Sequence, residues 1–357
     1  MRRSMLVAGA AMLVLSCAGV VNAASPDVYG RLPLLEDVAL SPGGTRLAFV
    51  KTEGDTRLIA AYSLADRKPV AGLILGQQKL RKIEWADDDH LLIFTSQAAE
   101  PMGISGPLRE WNLLQVYDIK TGRQRIIPGD RPFSNTRTMN VVIGQPMVRH
   151  SNGHTLLFAQ IVLVGNPSRP GLERVDLTSG GERLVREGTV STQEWLVDAD
   201  GEVAAQQDYD DGSRHWSLKL RRDGHMKEAA GGDDAIDIPR MLGFGPDADT
   251  ILEQQVEDGV PVWRLLSLKD GSLGAPMAER RTLDSPIEAA NPPRMIGGTY
   301  VTDDAHYAFF DPGMQLRWDT VAKGFPGEHL RLVSHDSELL RLVVRVDGPN
   351  DGYKYSS

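Results

Sequence analysis

The chain has 357 residues, 41% of them hydrophobic and 24% charged, with a net charge of −9. That is globular composition, which excludes disordered and fibrous classes. The acidic balance repels phosphate backbones, so nucleic acid is not an expected partner.

The chain opens with a targeting segment. Arg2 and Arg3 precede an apolar run from Met5 to Val21, and Val21-Asn22-Ala23 is a small-x-small cleavage pattern. Residues 1–23 read as a secretory signal peptide, since a run of about 17 apolar residues is short for a membrane span. The expected location is periplasmic or secreted, with no membrane span in the mature chain. Cys17 loosely resembles a lipidation site and is the only cysteine. A chain cleaved after Ala23 therefore has no disulfide, no cysteine-based zinc site and no cysteine nucleophile.

Residues 24–357 repeat one unit. Val38-Ala39-Leu40-Ser41-Pro42-Gly43-Gly44-Thr45-Arg46-Leu47-Ala48-Phe49-Val50 reads as strand, tight turn, strand. The same grammar returns around Asp88, Asn152, Asp200, Asp247, Asp304 and Asp336, at intervals of 46, 64, 48, 47, 57 and 32 residues. An insertion around Glu100–Pro107 accounts for the long early interval. Between these turns lie further alternating strands. Leu113–Ile119 precedes Thr121-Gly122, Leu172–Leu177 precedes Ser179-Gly180, Trp216–Leu220 precedes Asp223-Gly224, and Trp263–Leu268 precedes Asp270-Gly271. Four strands per repeat, at a period of roughly 40–50 residues, specify an all-β propeller. A sandwich gives no reason for about seven similar hairpins. The expected architecture is a seven-bladed β-propeller with an incomplete last blade. Met314–Gly324 is the best helix candidate, placed before that blade.

Ser41-Pro42-Gly43-Gly44-Thr45-Arg46-Leu47-Ala48-Phe49 resembles the first-blade hairpin of the prolyl-oligopeptidase-type serine peptidases (the S9 family). Trp85-Ala86-Asp87-Asp88-Asp89-His90-Leu91-Leu92 resembles its second. The run Phe325–Ser334 followed by Val344–Tyr355 resembles the last blade of bacterial members. The resemblance covers nearly the whole chain after residue 23, although TolB-like propellers share the single hairpin motif. It implies a propeller that gates peptide substrates to an α/β-hydrolase domain carrying Ser, Asp and His. The Gly-x-Ser-x-Gly turn of such a domain is expected further on, and this sequence lacks it. Gly103-Ile104-Ser105-Gly106-Pro107 ends in Pro and reads as a loop. The chain is thus expected to be the propeller portion, truncated before the catalytic domain and inactive alone. Its partners would be peptides reached through a missing or separate hydrolase domain. The alternative is a stand-alone TolB-like module that binds or scaffolds, and a propeller enzyme in its own right is a third reading.

No catalytic, cofactor-binding or metal-ligating residue is assigned, and no cofactor is expected. His150 and His154 have the spacing of two helical zinc ligands, but Asn152-Gly153 between them signals a hairpin with two exposed imidazoles. Asp208-Tyr209-Asp210-Asp211-Gly212 lacks the ligand at position 5 and the closing Glu at position 12 of a calcium loop and reads as an acidic turn. Gly243-Phe244-Gly245-Pro246-Asp247-Ala248 matches a dinucleotide fingerprint by letters, yet opens onto a strand. Asp87-Asp88-Asp89 and Asp233-Asp234 read as solvated turns. Trp85, Trp195, Trp216 and Trp263 lie in strands and are expected to pack between blades rather than face a ligand.

Overall fold

The computed structural model describes residues 34–54, 56–76, 78–100, 107–129, 138–277, 283–348 and 352–356. Residues 1–23, Cys17 and all of Gly103–Pro107 except Pro107 itself lie outside the described residues.

The described residues form seven antiparallel meanders, the blades of a propeller. Blade one is β1 (Leu35–Leu40), β2 (Arg46–Glu53), β3 (Thr56–Ser63) and β4 (Lys68–Gly76). Blade two is β5 (Lys79–Trp85), β6 (His90–Ala99), β7 (Arg109–Asp118) and β8 (Gln124–Ile127). Blade three is β9 (Thr138–Ser151), β10 (His154–Leu163), β11 (Arg169–Asp176) and β12 (Glu182–Glu187). Blade four is β13 (Thr192–Val197), β14 (Val203–Asp210), β15 (His215–Arg222) and β16 (His225–Asp233). Blade five is β17 (Arg240–Phe244), β18 (Thr250–Glu257), β19 (Val260–Ser267) and β20 (Leu273–Pro276). Blade six has three strands, β21 (Ser285–Ala290), β22 (Pro293–Val301) and β23 (Ala305–Phe309). Blade seven also has three, β24 (His329–His335), β25 (Leu342–Gly348) and β26 (Gly352–Ser356).

The turns form as their residues dictate. Asn152 and Gly153 take φ of 52° and 79°, and Asp223 and Gly224 take 54° and 78°. Two successive positive φ values make the tight turn whose twist matches the flanking strands. One assignment needs correction. The Asp304 turn joins β22 to β23, so it is the second hairpin of its blade. The first is Asn291-Pro292, between β21 and β22. Counted from there, Asp247, Asn291 and Asp336 are 44 and 45 residues apart, and the irregular intervals of 57 and 32 disappear.

Blade six spends its remaining length on a helix, α1 (Pro312–Lys323). Asp311 caps its N-terminus, accepting the Met314 N–H at 2.8 Å, and Pro312 begins it. Met314 and Trp318 are its buried side chains. Trp318 packs on Tyr307 with ring centroids 4.2 Å apart.

The core is not one mass. It is seven wedges, one between each pair of neighbouring blades. Trp85 packs with Ala39 and Ile59 between blades one and two, and Trp195 with Phe158 and Leu172 between three and four. Trp216 packs against the cluster between blades four and five, and Trp263 with Met295 between five and six. All four tryptophans are thus inter-blade residues, and Trp85 and Trp195 also line the central cavity. α1 joins the wedge between six and seven. The ring closes where Val343 of β25 meets Val38 and Leu40 of β1. The described strands of blade seven come from one contiguous stretch, so this seam is held by side chains.

Candidate functional site: the central channel

The innermost strands of all seven blades surround a cavity of about 900 Å³. Its lining depends on a repeated irregularity. Each innermost strand has a break in register against its neighbour. Glu36, Arg81, Gln193, Leu242 and Val333 are the unmatched residues on β1, β5, β13, β17 and β24. On β9 the stretch Gly144–Pro146 opposes Ala159 alone, and in blade six the extra residue is Ile296 of β22. A bulge bends its strand and re-aims the side chains beside it. Residues flanking these breaks line the channel, among them Asp37, Lys82, Glu194, Gly243, Glu288 and Ser334.

The lining mixes apolar side chains with charges of both signs. Lys82 pairs with Glu84 at 2.7 Å and also donates to Gln145 Oε1 at 2.7 Å. Asp37 accepts the Ile83 N–H at 2.8 Å and the Val38 N–H at 2.9 Å, so it ties blade one to blade two. Burial nonetheless raises its carboxyl above the ordinary value. Glu194 on β13 is raised by burial, against the pull of Arg240 on β17. Glu288 on β21 is open to channel water yet enclosed by the ring. That enclosure raises its carboxyl, and Arg149 acts in the opposite direction.

Arg149 is the least exposed charge of the wall, at 6%. Its Nε donates to the Val197 carbonyl at 2.7 Å, and its Nη1 to the Val148 carbonyl at 2.7 Å. The guanidinium lies 5.9 Å from the Phe244 ring centroid, so it reaches from blade three to blades four and five. Burial lowers its pKa to about 10, which leaves it charged at neutral pH.

The residues singled out by sequence go elsewhere. His150 pairs with Thr155, and His154 with Ser151. The two imidazoles therefore stand on opposite faces of the hairpin and cannot share a metal. Only His154 is exposed. His150 is half-buried, and burial lowers its pKa. Asp208 is buried beside Lys219, and Asp210 caps a turn by accepting the Ser213 N–H at 2.7 Å. Gly245–Ala248 is the hairpin between β17 and β18. Asp87-Asp88-Asp89 is not a solvated turn. Asp88 accepts the Gly43 N–H at 3.0 Å and the Thr45 hydroxyl at 2.7 Å, and Asp89 pairs with Arg46 at 2.8 Å. Two carboxylates of the turn thus clasp the first blade, while Asp87 accepts the Asp89 and His90 N–H groups of its own turn at 2.7 Å. Asp233 pairs with the exposed His215, and Asp234 accepts two backbone N–H groups of its own turn.

Arg149, Glu194 and Glu288 escaped notice in the sequence. Their signal was a lone charge inside an apolar innermost strand, as in Met147-Val148-Arg149 and Ile287-Glu288-Ala289. The described residues contain no group of three His, Cys, Asp or Glu side chains that could hold a metal ion. None of their helices is long and apolar enough to cross a membrane.

No protein-family model matches the chain, and no curated protein sequence matches it. Among solved structures it is similar to the acylaminoacyl peptidase of Pyrococcus horikoshii, at 14% identity with a TM-score of 0.43, covering 88% of this chain and 50% of that one. It is similar to an oligogalacturonate lyase in complex with manganese, at 10% identity with a TM-score of 0.52, covering 89% of this chain and 87% of that one. It is also similar to TolB from Acinetobacter baumannii, at 10% identity with a TM-score of 0.38, covering 86% and 78%. The chain spans about half the length of the acylaminoacyl peptidase structures it matches. At 10% identity the likeness to the lyase structure bears on the fold alone, and the seven blades of the propeller are those of this chain's own sheets.

Proposed function

We propose that the chain is the substrate-gating propeller of an exported prolyl-oligopeptidase-type peptidase, acting with an α/β-hydrolase domain that supplies Ser, His and Asp. The observation that carries this reading is the channel. Seven blades surround a cavity of about 900 Å³ lined by both signs of charge. Such a passage suits a peptide strand, which has polar groups at every residue and a charge at each end. The attacking serine, its base and the oxyanion hole would belong to the hydrolase domain.

The test uses the native protein. An antibody against the propeller captures it from the periplasmic fraction, and a fluorophosphonate probe reports an active serine. Labelling of the captured species, with a mature N-terminus at Ala24, is the expected result. An unlabelled species with the mass of the propeller alone overturns the reading.

That outcome would favour the second reading, a stand-alone binding module of the TolB type. One observation speaks for it. The described residues close the ring themselves, with Ser334 and Arg341 of blade seven bonded to Leu40 and Gly44 of blade one.

A further inference from the structure

We infer that the channel holds a carboxylate-binding site built on Arg149. A buried guanidinium is costly unless an anion offsets its charge. Among the described residues Arg149 has two backbone carbonyls as its hydrogen-bond partners and makes no ion pair with a carboxylate. A cross-blade strut would need only a neutral donor. Trp85 does that work on blade two, giving its indole N–H to the Ala39 carbonyl at 2.9 Å. The fixed positive charge at position 149 therefore calls for another explanation.

The geometry supplies one. The two carbonyls fix the plane of the guanidinium and engage Nε and Nη1, which leaves the Nη2 donors for another acceptor. Pre-organised donors of this kind suit a carboxylate oxygen, which accepts a charge-assisted hydrogen bond from guanidinium. Glu288 and Asp198 act on Arg149 electrostatically but neither forms an ion pair with it, and Asp198 is already paired with Arg221 at 2.6 Å. Gly243 keeps room for Glu288 at the wall, since a Cβ there would lie 2.6 Å from its Oε1. Glu288 thus competes weakly for the cation without occupying it. The ligand class is a free carboxylate on a chain slender enough for the channel, such as the C-terminus of a short peptide. The inference goes beyond the peptidase reading and stands equally for a binding module.

The probe is trialanine, set against trialanine amide, with the full chain. Trp85 and Trp195 line the same cavity, so their fluorescence reports occupancy alongside calorimetry. The acid is expected to bind at least about tenfold more tightly than the amide. Arg149→Met should bring the acid down to the level of the amide. Because that substitution also removes two backbone contacts, Glu288→Gln is the second arm. It removes a competing carboxylate and should tighten trialanine severalfold while leaving the fold intact. Equal affinity for acid and amide overturns the inference. So does binding of neither at about 10 mM, a concentration that would detect any interaction of consequence, or weaker trialanine binding by Glu288→Gln.

Discussion

The N–H of Leu40, on the innermost strand of the first blade, donates to the hydroxyl of Ser334 on the innermost strand of the last at 2.9 Å. This bond spans 294 residues of sequence. Leu40 is 5% exposed, so its N–H has no easy recourse to water. Ser334→Ala would leave a buried donor unmatched, at a cost of about 1–3 kcal/mol. Urea midpoints of the wild type and variant measure it. A difference below about 0.5 kcal/mol, the range of ordinary surface changes, would show that apolar packing alone holds the seam.

The second prediction concerns pH. His90 Nδ1 lies 2.9 Å from each oxygen of Asp87. Burial disfavours both charges, but the bond between them outweighs it. His90 is held above its ordinary value and Asp87 well below, the latter helped by Thr155. The histidine contribution is complete below the unfolded value of about 6.5 and is lost as pH rises through the higher folded value. The aspartate contribution is complete above about 3.9 and is lost only as pH falls through its lower folded value. The clasp is therefore strongest between roughly pH 4 and 6.5. The stability gap between wild type and His90→Gln should shrink from pH 5.5 to pH 9 by on the order of 1 kcal/mol, the difference between a charge-assisted and a neutral hydrogen bond. A gap that is equal at both pH values would contradict this.

Much of the ring was legible because its turns are chemically explicit. Asn152-Gly153 and Asp223-Gly224 can hardly form anything but tight hairpins, and their flanking strands alternate. Blade six misled because Asn291-Pro292 does not resemble the other first turns, whereas Thr302-Asp303-Asp304 does. The channel was not legible at all. A bulge changes no composition and moves the period by one residue, so Lys82 and Glu194 look like ordinary surface positions in sequence. Nor does sequence reveal that the Asp87-Asp88-Asp89 turn faces Gly43, Thr45 and Arg46 of another blade.

A third prediction separates two adjacent glycines. A Cβ on Gly298 would lie 3.2 Å from the Trp263 ring and 3.1 Å from Leu283, both side chains with some freedom to shift. A Cβ on Gly297 would lie 2.4 Å from the Ala308 carbonyl and 3.0 Å from the Phe309 Cα, which are backbone atoms of β23. Side chains yield and a paired strand does not. Gly298→Ala should cost about 1 kcal/mol and Gly297→Ala about 3 kcal/mol or more. Thermal unfolding of the two variants ranks them, and the reverse order would refute the argument.

The last prediction tests how the channel wall is assembled at Gly243 and Glu288. Gly243 has φ of +143°, a conformation that L side chains rarely adopt, and a Cβ there would meet Glu288 Oε1 at 2.6 Å. Gly243→Ala thus faces two separable costs, backbone strain of about 1–3 kcal/mol and displacement of a flexible carboxylate. Glu288→Ala removes the second cost and leaves the first. The double variant should therefore recover only a minor share of the stability that Gly243→Ala loses. Recovery of most of it would place the cost in the carboxylate, and the bulge on β17 would then tolerate a side chain. The thermodynamic cycle across the four proteins decides between these, because the two residues are in contact and their coupling is measurable.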